Sequence, residues 1–141
     1  MRAKEYLSQT AVLTRRIKQV EDRIEELRTE VSSPKAIRYD KDNVQSSPAG
    51  DALAAYMVRI EAETLKLIAL KEEYLTLYSE IRDRINRVMP GLYADVLFMR
   101  YIEQKPFVRI ADELGFGYEW TCRLHGRALQ EFTKLNPDVC Q

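Results

Sequence analysis

From Lys4 to Val31 the chain has no Gly or Pro, and its apolar residues step by four and three. Tyr6, Leu13, Val20 and Leu27 form one series, and Thr10, Ile17, Ile24 and Val31 form the other. This heptad spacing, with β-branched residues at one core position, predicts a single helix about 42 Å long. Arg15, Arg16, Lys18, Glu21, Asp22 and Arg23 fill the other face with mixed charge. One helix cannot bury such a seam by itself, so it needs a partner helix.

The pattern stops at Ser32 and resumes after Gly50. Between them, SSPKAIRYDKDNVQSSPAG carries two Ser-Ser-Pro triplets, which favour extended or turn backbone before each proline. A connection this long is either a mobile linker or a functional loop, with Ile37, Tyr39 and Val44 available for local packing. From Asp51 to Met89 a second helix is predicted, about 58 Å long if continuous. One stripe runs Leu53, Met57, Ile60, Thr64, Leu67, Lys71, Tyr74, Tyr78, Ile81, Ile85 and Val88, and Val58, Leu65, Ile68 and Leu75 make a second. A face that broad implies contact with more than one helix. An antiparallel hairpin with the first helix, dimerised along the remaining surface, is the simplest arrangement. Asp51 is placed to cap the start, and Met89-Pro90-Gly91 to end it.

Leu92 to Glu103 reads as a short helix. Phe107 to Arg127 (FVRIADELGFGYEWTCRLHGR) reads as two crossing helices joined at Gly115, where a left-handed turn residue is wanted. Ile110, Ala111 and Leu114 face inward on the first, and Thr121, Leu124 and Ala128 on the second, with Phe116 expected to plug the angle between them. Asn136-Pro137 stops the last helix and leaves a short tail over 136–141. The predicted fold is therefore all-α. It comprises a long antiparallel, coiled-coil-like helical hairpin over 1–90, linked at about 32–50, and a three-helix helix-turn-helix domain over 91–135.

Composition changes this picture little. Of 141 residues, 22 are basic and 22 acidic, so any nucleic-acid binding must come from local placement of charge. The region after Gly91 is itself close to neutral. Two cysteines, Cys122 and Cys140, and one histidine, His125, cannot make a four-ligand zinc site, and their placement argues against a disulfide. With no glycine-rich phosphate loop and no ligand cluster, neither an enzyme nor a cofactor is expected. The polar N-terminus lacks the apolar core of a signal peptide, and no run has transmembrane length, so a cytoplasmic protein without a membrane partner is expected.

Three pieces of the last third carry a resemblance: Arg100–Glu103, Ile110-Ala111-x-x-Leu114-Gly115 and Arg127-Ala128-Leu129. Together they resemble region four of bacterial sigma factors and the related C-terminal domains of phage transcriptional regulators. In its Arg123-Leu124-His125-Gly126-Arg127-Ala128-Leu129 string, preceded by a long helical hairpin and a Ser-Pro linker, the chain is similar to a family from phages and prophages of Gram-positive bacteria, allied to the ArpU/RinA-type regulators of late genes. The resemblance implies sequence-specific binding of double-stranded DNA in transcription control within the bacterial host cell. It departs from the pattern at Gly117, where Ser is usual, at Thr121, where Val or Ile is usual, and at Trp120, where a polar residue is common.

In such an arrangement the second helix lies in the major groove with its N-terminal half against base edges. Tyr118, Glu119, Trp120 and Arg123 are then the candidates for reading sequence, Arg toward guanine and Glu toward cytosine. Lys105, Arg109 and Arg127 are the candidates for phosphate. Glu119 and Arg123, four apart, are also placed to pair with each other, and His125 to sit hydrogen-bonded at the core rim. A near-neutral module binds weakly alone, so useful affinity requires a homodimer or higher oligomer, or recruitment by RNA polymerase. Two alternatives remain at this point: a DNA-packaging adaptor like phage small terminase subunits, and a protein-binding adaptor contacting RNA polymerase.

Overall fold

A computed structural model describes residues 1–32 and 48–141 of the chain. The protein is all-α: the regular elements are helices, with no strand among the described residues. They are α1 (Ala3–Leu7), α2 (Gln9–Val31), α3 (Pro48–Asn86), α4 (Gly91–Leu97), a π-helical turn (Phe98–Ile102), α5 (Phe107–Leu114) and α6 (Tyr118–Leu135). Most of the expected connection at 32–50, including Ile37, Tyr39 and Val44, lies outside the described residues.

The boundaries differ from expectation at several places, among them the end of the second long helix, at Asn86 rather than Met89. The first helix is interrupted by a turn at Ser8, whose hydroxyl donates at 2.6 Å to the Lys4 carbonyl that also accepts from the Ser8 N–H at 3.0 Å. The second long helix starts at Pro48 rather than Asp51, because a missing N–H is harmless in a first turn. Asp51 therefore lies inside that turn, where a carboxylate suits the helix dipole. The predicted helix over 92–103 is α-helical only to Leu97 and then widens into the π turn. There Thr10 donates its hydroxyl to the Tyr101 carbonyl at 3.2 Å. Residues 136–141 are not a loose tail. Asn136 and Cys140 are buried, and the Gln141 N–H reaches the Met1 carbonyl at 3.1 Å.

Two compact units result, and α2 and α3 each contribute to both. One comprises Met1–Thr14 with Glu73–Gln141, the other Arg15–Glu72. The expected division near residue 90 is thus not where compactness changes. The reason is packing: Ala3, Tyr6 and Leu7 from α1 and Ile81, Ile85 and Val88 from the end of α3 share one core with Leu97, Tyr101, Ala128, Phe132 and Cys140. These residues need the C-terminal helices to leave water, and burying each large one is worth about 1.5–3 kcal/mol.

A polar clamp closes the rim of that unit. Arg84 donates to Asn136 Oδ1 at 2.8 Å and forks onto Asp138 at 3.1 and 2.9 Å. Its guanidinium also lies 5.9 Å from the centre of the Tyr6 ring, and the Tyr6 hydroxyl donates to Glu80. The Arg84 fork holds the Asp138 carboxyl below its usual range.

In the Arg15–Glu72 unit, Ile24 and Leu27 are buried, and Ile17, Val20, Ile60, Thr64, Leu67 and Leu70 are half-buried. Arg23 pairs with Glu63 at 3.4 Å and Glu21 with Lys71 at 3.5 Å, so numbers rise on α2 as they fall on α3. That is the order of an antiparallel pair. Of the predicted stripe in this unit, Ile60, Thr64 and Leu67 are half-buried, whereas Leu53, Met57 and Lys71 are exposed, Lys71 because its ammonium reaches out to Glu21.

Candidate nucleic-acid interface

The corner between α5 and α6 is built from backbone rules. Pro106 caps α5 with extended backbone, and Gly115 ends it in the left-handed region at φ 74°, ψ 26°. The Phe116 N–H returns to the Ala111 carbonyl at 2.9 Å, closing a Schellman turn that satisfies an end carbonyl. Gly117 caps α6 with extended backbone and no side-chain bond.

Ile110, Ala111, Leu124 and Ala128 are buried where the helices cross, and Leu114 is half-buried. Thr121, the departure from an apolar pattern, is fully buried and solves its polarity locally. Its hydroxyl donates to the Gly117 carbonyl at 2.9 Å. Phe116 does not plug the angle. It is 39% exposed, because the left-handed turn at Gly115 carries the next side chain outward.

Behind the corner, His125 is buried against three groups. Its Nε2 shares a 2.7 Å hydrogen bond with the Tyr101 hydroxyl, the Tyr101 ring stacks on it, and Phe107 meets it edge-on at 4.8 Å between centres. Burial, with Arg100 and Lys4 nearby, lowers the imidazole to about 4, and burial raises the Tyr101 hydroxyl to about 12. The ring is therefore neutral at physiological pH and serves packing. Arg100 lies 4.3 Å over the Phe107 ring and donates to the Lys105 carbonyl at 3.0 Å, tying the π turn to the start of α5.

All four candidate base-reading residues lie together on the exposed N-terminal half of α6: Tyr118, Glu119, Trp120 and Arg123. Arg127, a turn further on, is also exposed, and its guanidinium lies 5.5 Å from the Trp120 ring centre, within cation–π range. Glu119 and Arg123 are both exposed and form no ion pair with each other among the described residues.

The other two phosphate candidates are differently placed. Lys105 Nζ sits 2.6 Å from Glu103 and 2.8 Å from Glu113, and Arg109 Nε lies 3.2 Å from the same Glu113. Hydrogen bonds to Glu103 and then Glu113 hold Lys105 above the usual ammonium range. Lys105, and next Arg109, hold Glu113 below the usual carboxylate range. Both cations thus face carboxylates of their own chain, Arg109 at the exposed surface, whereas Arg123 and Arg127 have no carboxylate partner among the described residues.

The surface beside them is more apolar than the sequence pattern implies, since Val108 is 69% exposed in addition to Phe116. For Val108 the signal was present: two residues before Ile110 on a helix, it falls about 160° from the buried stripe. Among the described residues no group of His, Cys, Asp and Glu is arranged to hold a metal ion, and no helix is long and apolar enough to cross a membrane. Comparison with protein-family models, curated proteins and solved structures returns no match for this chain.

Proposed function

We propose that the protein is a sequence-specific double-stranded-DNA-binding regulator of phage or prophage transcription, acting in the bacterial cytoplasm as an assembly held by its long helices. The observation that carries this reading is the division of α6. Thr121, Leu124, His125 and Ala128 are buried on one side, while Tyr118, Glu119, Trp120, Arg123 and Arg127 stand exposed on the other, directly after a glycine-turned corner. That is the geometry by which a second helix offers its first turns to a major groove. Arg123 and Glu119 would discriminate bases at about 1–3 kcal/mol per good contact. Arg127 would add affinity without sequence information.

One observation favours a second reading, a protein-binding adaptor contacting RNA polymerase. Lys105 and Arg109 are spent on carboxylates, and Val108, Phe116, Tyr118 and Trp120 leave an apolar surface around the corner. Selection of genomic fragments by the purified full chain at stated, modest salt separates the two. The DNA reading expects enrichment of a defined site, lost in Arg123→Ala and weakened without change of sequence preference in Arg127→Ala. Absence of enrichment, or binding indifferent to Arg123→Ala and Trp120→Ala, overturns it in favour of the adaptor.

A further inference from the structure

One cleft collects positive charge that the protein does not neutralise. It has a volume of about 200 Å³ and is lined by Lys4, Ser8, Ala11, Arg100, Tyr101 and Gln104, all from the same compact unit. Lys4, Ser8 and Ala11 stand at i, i+4 and i+7, so one face of the chain passing from α1 into α2 forms the first wall. Arg100 and Tyr101 in the π turn, with Gln104 just beyond it, form the second. Thr10 ties the two walls together through its 3.2 Å bond to the Tyr101 carbonyl. At a share of about 30 Å³ per water in the liquid, the cleft has room for a tetrahedral oxyanion and some of its waters.

The chemistry of the lining is one-sided, with two cations and no carboxylate. The acids next in sequence are committed elsewhere: Glu5 accepts from the Arg2 N–H at 3.2 Å, and Glu103 lies 2.6 Å from Lys105. Lys4 and Arg100 have no carboxylate partner among the described residues, in contrast to Arg84, Lys105 and Arg109 of the same unit. Their charge is felt inside the fold. Burial chiefly lowers the His125 imidazole, and Arg100 and then Lys4 lower it further.

Arg100 is also held ready. One guanidinium N–H donates to the Lys105 carbonyl at 3.0 Å and the group lies 4.3 Å over the Phe107 ring, which leaves its other N–H groups for a ligand. Gln104 is exposed, and its amide forms no hydrogen bond among the described residues. We propose that this cleft binds a phosphate-class oxyanion, either a free phosphate or one carried in a nucleic-acid backbone. Lys4 supplies a mobile ammonium, Arg100 a fixed fork and Gln104 a neutral amide donor. Donors on two walls suit an anion with oxygens on several sides better than a flat carboxylate, which one guanidinium fork satisfies.

The site uses no residue of α6, so its test stands apart from capture of DNA by that helix. Inorganic phosphate titrated into the full chain should move the amide resonances around Lys4, Arg100 and Gln104 along one saturating curve in the millimolar range, followed by heteronuclear NMR. Potassium chloride at matched ionic strength should not. Lys4→Ala should weaken binding about tenfold, as one charge-assisted bond requires, and Lys4→Arg should keep it within about threefold of wild type. Gln104→Glu, which places a carboxylate in the cleft, should abolish it. Both side chains are exposed, so the far-ultraviolet circular dichroism spectrum should be unchanged in each variant.

The source of the phosphate follows from Lys4→Ala on duplex DNA. If the phosphate belongs to a nucleic-acid backbone, this variant weakens capture of every sequence alike and lowers the salt slope of binding by about one. If the phosphate is free, capture is unchanged while phosphate binding is weakened. Shifts that fail to saturate, that chloride reproduces, or that persist at full strength in Lys4→Ala and Gln104→Glu overturn the proposal, whatever the DNA result. Absence of DNA capture by a chain that still binds phosphate in this way overturns only the DNA reading.

Discussion

His125 is the only histidine in the chain, which makes acid titration of the folded protein unusually easy to interpret. Burial lowers its pKa from 6.5 to about 4. A base with a depressed folded pKa contributes no penalty above the unfolded value, because both states are then neutral. Below pH 6.5 the unfolded chain takes up a proton that the folded chain refuses, so stability falls until the folded ring titrates near 4. Each pKa unit corresponds to about 1.4 kcal/mol, so the full window is worth about 3.4 kcal/mol. Between pH 7 and pH 5 the loss is about 1.8 kcal/mol.

Urea denaturation at those two pH values measures it directly. The depressed carboxyls of Glu113 and Asp138 act in the other part of the scale, losing their stabilisation as pH falls through the ordinary carboxylate range and below. They should contribute little above pH 5. His125→Phe, which keeps a ring beside Tyr101 and Phe107 but cannot titrate, should remove most of the dependence. The imidazole proton resonances of the folded protein should stay unshifted down to about pH 5. An equal pH slope in wild type and His125→Phe would refute the reasoning, as would an imidazole that titrates near 6.5 in the folded state.

Two further substitutions test the frame around the site. Gly115→Ala should lower stability by about 1–2 kcal/mol in urea titration, from left-handed backbone alone, because a Cβ there meets nothing within 4 Å. Gly115→Asn should cost less, and equal effects would mean that the turn is not held left-handed in solution. Asn136→Ala removes both the acceptor of the 2.8 Å bond from Arg84 and the donor to the Phe132 carbonyl, and should cost about 1–3 kcal/mol. An unchanged denaturation midpoint would show that the C-terminal clamp is not formed.

The helical periodicity of the sequence carried the all-α architecture, the buried Ile81, Ile85 and Val88 at the end of α3, and the inward set Ile110, Ala111, Leu124 and Ala128, because each depends on a repeat only a few residues long. The Gly115 turn was legible for the same reason: a single φ decides it. Less legible were features that depend on which distant residue arrives. Lys105 and Arg109 look like free cations until Glu103 and Glu113 are brought beside them. Phe116 looks like a plug until the turn direction is known. The tail looks idle until Arg84, 52 and 54 residues earlier, reaches Asn136 and Asp138. Periodicity reports which residues leave water; it does not name their company.

The unit formed by Met1–Thr14 with Glu73–Gln141 is assembled from both sides of the Arg15–Glu72 unit, and α2 and α3 run unbroken from one to the other. In terms of chain architecture, Arg15–Glu72 is an insertion whose two ends are helical rather than looped. Its length is therefore quantised. A residue gained or lost on one arm alone shifts the helical positions beyond it by about 100° around that helix and puts its apolar face out of step with the other arm. Paired changes of seven on each arm leave those faces nearly in phase. The length of the Arg15–Glu72 unit is open to variation in heptads while the corner and core of the other unit stay as they are.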